Sequence, residues 1–328
     1  MKKSISLLIL IIFLIIPLQA KDSNQQAAFI EDIIGARAWG LGGAYRTLVD
    51  DASASIWNPA GLADLKKGNS LSLEHLQLMD FFSYSYVGYA HRLNKRLVLG
   101  SGLYYSGDDV MSEFVGYASV AMDGAVIGNL IFSDSIPEEL VSIGLSSKIF
   151  YSSFGNNDLT SLPDYLIGHQ VTGSALGYGL DLGFKVRPTK RDHFSLTFKN
   201  LLNNIKWDSK NNAGTALGKY SENLPVTSAL GYARHQNNFI IALDIDKGLY
   251  YDIEDNLHIG LELPLRRELI LRIGYAQELV TADSKRLGLG AGINIDMPSV
   301  PHLRVDLSYL MHLEWEGHDS LLFSLTLQ

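Results

Sequence analysis

From about residue 70 to the C-terminus, apolar side chains recur with a period of two. Leu303, Val305, Leu307, Tyr309 and Met311 alternate with His302, Arg304, Asp306, Ser308 and Leu310. Leu257, Ile259, Leu261 and Leu263 alternate with His258, Gly260 and Glu262. Leu176, Tyr178, Leu180, Leu182, Phe184 and Val186 alternate with Gly177, Gly179, Asp181, Gly183, Lys185 and Arg187. Side chains of a strand point alternately to opposite faces, so each segment has one apolar face and one polar or very small face. A soluble sandwich would bury the apolar face, whereas a membrane barrel would turn it to lipid and keep the polar face inside.

Three observations favour an all-β transmembrane antiparallel barrel. The segments run for about ten residues, the length of a tilted membrane strand. Tyr84, Tyr86, Tyr104, Tyr105, Phe150, Tyr151, Tyr232 and Tyr275 fall near strand ends, where interfacial girdles belong. Tight connections at 92–95, 188–190, 235–237 and 264–267 alternate with longer ones at 152–172, 201–224, 248–255, 277–284 and 312–318. The expected strands are 70–79, 83–91, 96–105, 116–132, 140–151, 173–187, 191–200, 225–234, 238–247, 256–263, 268–276, 285–294, 301–311 and 319–327, about fourteen in all. Asp123-Gly124 also reads as a hairpin turn, which would alter the count around 113–132.

Charge and composition narrow the function classes. Hydrophobic residues make up 47% of the 328 residues and charged ones 19%, with a net charge of −8, so the chain is neither a disordered tail nor a basic nucleic-acid binder. Lys2 and Lys3, the apolar run Ile5 to Ile16, and Leu18-Gln19-Ala20 have the layout of a secretory signal peptide over 1–20. No cysteine follows that would carry a lipid anchor. The expected organisation is 1–20 signal peptide, 21–68 N-terminal hatch and 69–328 barrel.

The polar phase of the strands names a lumen lining: Lys148, Asp181, Lys185, Arg187, Lys199, Asp244, Asp246, Glu262, Arg272, Arg304 and Asp306. These charges can set selectivity, or can form a salt-bridge ladder that holds the barrel together. Gly288, Gly290 and Gly292 leave one inner strand face bare, either for a plug or ligand to approach or for the wall to curve.

Residues 35–65 do not read as a strand. Their glycines lack the spacing of a phosphate loop, and Asp50-Asp51 lacks that of a calcium loop. Taken together, Ala36-Arg37-Ala38, the run Gly40, Leu41, Gly42, Gly43, Ala44, then Asp50, Asp51, Ala52, Ser53, Ala54, and finally Asn58, Pro59, Ala60, Gly61, Leu62 resemble the hatch of the FadL-like outer-membrane superfamily. The PorV/PorQ and UPF0164 branches are the most similar. The resemblance implies a fourteen-stranded barrel with a hatch folded into the lumen from the periplasmic side. Barrels of this kind usually end in an aromatic residue read by the assembly machinery; this chain ends Leu325-Thr326-Leu327-Gln328.

Two functions follow from the resemblance. FadL-like proteins bind hydrophobic small molecules in the barrel and release them sideways into the membrane as the hatch moves. PorV-like proteins are accessory subunits of type IX secretion that hold exported protein clients. Loops 152–172 and 201–224, with Leu159, Leu162, Tyr165, Trp207 and Tyr220, would carry the second role. An outer-membrane hydrolase is a distant third. There is no G-x-S-x-G elbow and no H-E-x-x-H helix, and His312 and His318 flank a loop instead of sharing a helical face. The sequence thus points to a non-enzyme with no cofactor or metal, whose partners are outer-membrane lipid and the barrel assembly machinery.

Overall fold

A computed structural model describes residues 34–66, 68–78, 82–107, 111–124, 137, 139–155, 171–211, 216–249, 255–279, 284–296, 301–314 and 319–328. The proposed signal peptide lies outside them, as do Leu159, Leu162 and Tyr165. The described strands are β1 Asn69–Leu78, β2 Phe82–Asn94, β3 Leu97–Gly107, β4 Met111–Asp123, β5 Val141–Phe154, β6 Val171–Val186, β7 Asp192–Lys199 and β8 Asn204–Asn211. They continue with β9 Ala216–Glu222, β10 Thr227–His235, β11 Ile240–Gly248, β12 Asn256–Pro264, β13 Leu269–Glu278, β14 Lys285–Ile295, β15 Leu303–His312 and β16 Ser320–Leu327.

All pairings are antiparallel, and β1 pairs with β16 from Leu71↔Leu327 to Leu78↔Ser320, so the sheet closes on itself. Closure pairs every described strand on both sides except β9, whose one partner among the described residues is β8. The lower part of β6 pairs with β7 and its upper part with β8, while β9 pairs with β8. β8 and β9 therefore continue β7 and β10 upward, and the wall has fourteen strand positions. "Lower" denotes the end with the tight turns at 95–96, 187–191, 236–239 and 265–268.

Two details differ from expectation. β4 occupies 111–123 instead of 116–132. Asp123 pairs with Ser142, and its carboxylate accepts the Glu139 N–H at 2.7 Å, which ends the strand before β5. β4 pairs directly with β5 from Met111↔Phe154 to Asp123↔Ser142, so no further strand stands between them in the ring. Loop lengths also alternate less strictly: the upper connections 79–81 and 108–110 are short, and the lower connection 124–140 is long.

The alternation of the sequence becomes an inside-out burial pattern. Val87, Leu99, Leu145, Ile149, Ile259, Ile273, Leu289, Leu307 and Phe323 are exposed on the outer surface. Small and charged residues such as Ser146, Asp181, Lys185, Asp244, Glu262 and Asp306 are buried on the inner one. An apolar band of this extent is a surface for lipid, not water. Inside the ring, residues 34–62 are almost wholly buried and form much of the hydrophobic core.

Candidate functional site: the inner segment and the lumen above it

The inner segment owes its shape to small residues and caps. A short helix α1 (Ala36–Gly40) leads into turns, then a second short helix α2 (Ala54–Trp57) and a 3-10 turn over Pro59–Asp64. Asn58 caps that turn by accepting the Ala60 N–H at 3.1 Å, and Pro59 occupies its first position. Gly42 and Gly43 have φ of 65° and 87°, a left-handed backbone that favours glycine. Gly61 is packed closely against Val49.

The wall offers a matching seat. A Cβ on Gly290 would lie 3.0 Å from the Gly40 Cα, and one on Gly260 would lie 2.7 Å from the Leu41 oxygen. A side chain on Gly274 would collide with the Gly42 nitrogen, and one on Gly288 with the Trp39 oxygen. Glycine at these four positions lets two backbones touch. Gly292 serves differently, leaving room for the Asp306 carboxylate and the Arg272 guanidinium.

Charges pin the segment in place. Arg37 contacts Glu262 at 3.1 Å and Asp50 at 2.9 Å. Arg272 joins Glu262 to Asp306, each at 2.7 Å, and Arg304 joins Asp306 at 2.9 Å to Asp51 at 2.5 Å. Asp244 accepts the backbone N–H groups of Tyr45 and Arg46, each at 2.9 Å, while Asp246 pairs with Arg46 at 2.9 Å. Lys185 donates to the Val49 carbonyl and pairs with Asp64, which also meets Arg187. Burial disfavours the Asp50 carboxylate, but Arg37, Lys66 and Arg304 overcome this and hold its pKa well below the usual range. Within this network every carboxylate faces at least one cation, which offsets the cost of burying both.

Above the segment the inner surface changes character. The register aligns Leu76, Tyr84, Ser106, Glu113, Ser152, Ala175, Trp207 and Tyr220 in one row. The next row down carries Tyr86, Tyr104, Val115, Phe150 and Ile205, all essentially inaccessible. Tyr84 and Tyr104 rings lie 5.9 Å apart, and Trp207 stacks on Tyr220 at 6.0 Å and meets Phe154 at 5.8 Å. The Tyr86 ring lies over Gly88 and Gly102 and donates its hydroxyl to the Ala52 carbonyl of the segment at 3.0 Å. On the opposite arc, Arg286 sits 4.9 Å over the Trp39 ring.

Beside this lining the wall is creased. The β7–β10 ladder ends at Lys199↔Thr227, and the β8–β9 ladder begins at Ile205↔Glu222. Between them, asparagine side chains replace strand pairing. Asn200, with φ of 58°, donates its N–H to Asp181 at 2.8 Å and its amide to the Pro225 carbonyl at 3.2 Å. Asn203 donates to the Asn200 and Leu224 carbonyls and accepts the Leu224 N–H. Lys148 pairs with Asp181 at 3.0 Å and reaches Asn200 at 2.6 Å from behind.

Below the segment lies a cavity of about 1280 Å³ at the tight-turn end, lined by Arg37, Asp50, Asp64, Lys66, Arg92 and Arg187 among others. Arg92 ties the end of the segment to β2 through the Ala63 and Leu65 carbonyls, each at 2.7 Å. This mouth is rich in charged side chains, unlike the lining above.

The lumen residues read from alternation thus divide by role. Lys185, Asp244, Glu262 and Arg304 grip the segment, Arg272 and Asp306 brace Glu262 and Arg304 from the wall, and Lys148 and Asp181 support the crease. Several aromatics change role: Tyr84, Tyr86, Tyr104 and Phe150 face inward instead of forming an outer girdle, while Tyr105 and Tyr151 face outward. The span 201–224 is largely the paired strands β8 and β9 instead of an open loop, with Trp207 turned inward and buried. Among the described residues no group of three histidine, cysteine or acidic side chains could hold a metal ion.

No family model matches the sequence, and no curated protein matches it. Solved structures do. The chain is similar to the CymD monoaromatic hydrocarbon channel at 15% identity and a TM-score of 0.60, covering 91% of this chain and 98% of that one. It is similar to the Ralstonia pickettii toluene transporter TbuX at 13% identity and a TM-score of 0.61, covering 92% and 100%. A Pseudomonas aeruginosa FadL homologue aligns at 12% identity and a TM-score of 0.59, covering 89% and 97%. Identities this low establish the fold alone: the chain has the closed fourteen-stranded barrel fold of the FadL-like channels.

Proposed function

We propose that this protein is a bacterial outer-membrane barrel that admits hydrophobic small molecules from the long-loop side and releases them sideways through its wall. Residues 1–20 are its signal peptide, 21–68 its hatch and 69–328 its barrel. The observation that carries this reading is the aromatic lining directly above a segment anchored by buried ion pairs. An apolar molecule gains from the lining by leaving water. It meets a charged barrier below it, since the straight path runs through Arg37, Glu262, Arg304 and the polar lower mouth.

The crease offers a shorter exit. It lies beside the lining, where Leu202, Leu176 and Tyr178 are exposed on the outer surface. Asparagine contacts there can separate without breaking a continuous strand ladder. Gly40, Gly42 and Gly43, with Asn58, Pro59, Ala60 and Gly61, are the hatch elements whose backbone would move. Membership of the PorV/PorQ or UPF0164 branch rests on the Ala36–Leu62 motif alone.

The test is uptake of a fluorescent apolar tracer by cells producing the barrel, alongside native mass spectrometry of the gently extracted protein. The reading expects tracer uptake above that of cells lacking the protein, and a bound small molecule of reproducible mass. A bound exported protein, with no tracer uptake, would instead support an accessory role in secretion.

A further inference from the structure

Two buried carboxyls interrupt the aromatic lining, Glu74 on β1 in the row of Tyr86 and Glu113 on β4. Glu113 lies on the inner face of β4, in register with Ser106 on β3 and Ser152 on β5. It is only 6% exposed, and its Oε1 has no hydrogen-bond partner. The adjacent Ser152 hydroxyl is fully buried and likewise without a partner. Along β1 to β9, neither its own row nor the row below contains a lysine or arginine among the described residues. Lys148, one row lower still, is already taken by Asp181 and Asn200. Arg286 stands on the other arc, over Trp39.

A buried carboxyl oxygen without a donor is costly, and an apolar side chain would fit this lining at no such cost. A ligand that brings a donor into the lining would remove that penalty. Plain hydrocarbons cannot do so, and a carboxylate would bring a second acceptor and a like charge. We infer that Glu113, with Ser152, is a head-group site that selects apolar or aromatic molecules bearing a hydroxyl donor, in preference to bare hydrocarbons and carboxylates. The site deepens the reading of the lumen as a path for hydrophobic small molecules and rests on it.

Titration calorimetry of the full chain in a matched detergent tests this with three probes of similar shape: 4-ethylphenol, ethylbenzene and 4-ethylbenzoate. The phenol is expected to bind about tenfold more tightly than ethylbenzene, the size of one hydrogen bond to a charged group. Glu113→Leu should abolish the preference by weakening only the phenol. Glu113→Gln, which keeps an amide oxygen as acceptor, should retain part of it. Equal affinity for phenol and hydrocarbon in the unaltered protein, or tightest binding of the benzoate, overturns the head-group site while leaving the hydrophobic path standing. If none of the three binds, both the path and the site fall.

Discussion

Arg37 of the inner segment and Glu262 of β12 stand 225 positions apart in sequence and meet at 3.1 Å inside the barrel. The same guanidinium holds Asp50 at 2.9 Å. Arg37→Ala would leave two buried carboxylates short of their counter-charge, a loss of about 3–5 kcal/mol. Because the barrel ladders are untouched, the cost should fall on docking of the segment. Hydrogen exchange or protease cutting within 34–66 should rise sharply while the barrel keeps its resistance to unfolding in detergent. Combining Arg37→Ala with Glu262→Gln should cost less than the sum of the two single changes.

The glycine seat gives a steric test of the same docking. Gly288→Val would press a side chain onto the Trp39 carbonyl, where backbone cannot yield as a flexible side chain would. Overpacking of this kind costs about 1–3 kcal/mol or more. The expected outcome is a folded barrel with a loosened segment and raised single-channel conductance in planar bilayers. Gly116→Val, at a position with open space around its would-be Cβ, should leave conductance unchanged.

At the crease, Asn203→Ala removes hydrogen bonds to Asn200 and Leu224 and leaves the Leu224 N–H without its acceptor. Each bond contributes about 1 kcal/mol. The Leu224 amide should exchange with solvent at least about tenfold faster, with amides of the β13–β14 ladder unaffected. If the crease is the exit, release of a bound apolar tracer should quicken in parallel.

Acid should loosen the segment late. The Asp50 carboxyl titrates well below its ordinary value in the folded protein, so its ion pairs contribute fully above the unfolded carboxylate value of about 3.9. That contribution declines only as pH falls below this point toward the folded value. The cutting within 34–66 that is traceable to Asp50 should therefore be the same at pH 7 and pH 5 and rise in more acid buffer. In Asp50→Asn the Asp50-dependent part of that rise should disappear.

Most of the wall was legible because lipid outside and a small or charged interior force the same two-residue alternation on every strand. The exceptions occur where that polarity reverses. In β8, Lys206, Asp208 and Lys210 face out while Ile205 and Trp207 face in, so the hairpin reads like a loop. In β2, Val87 and Tyr89 face out but Tyr84 and Tyr86 face in. Alternation separates two faces without saying which one meets lipid. Asn200, Asn203 and Pro225 break the period altogether. The charged grip on the segment was legible as an inner lining, but not as a grip, because Glu262 and Arg272 reveal each other through neighbouring strands while Arg37 is remote from both.

Ala36 donates its N–H to Ser324 and accepts from Ser308, partners 288 and 272 positions further along the chain. The part of the chain made early is thus completed by the last two strands to emerge. Such distant pairings form slowly, since a long loop must close before any contact rewards it. The segment has no finished seat until β15 and β16 have joined the wall, so its docking reports that the ring is shut. A barrel stalled before its final strands would leave this stretch without its seat and open to proteolysis.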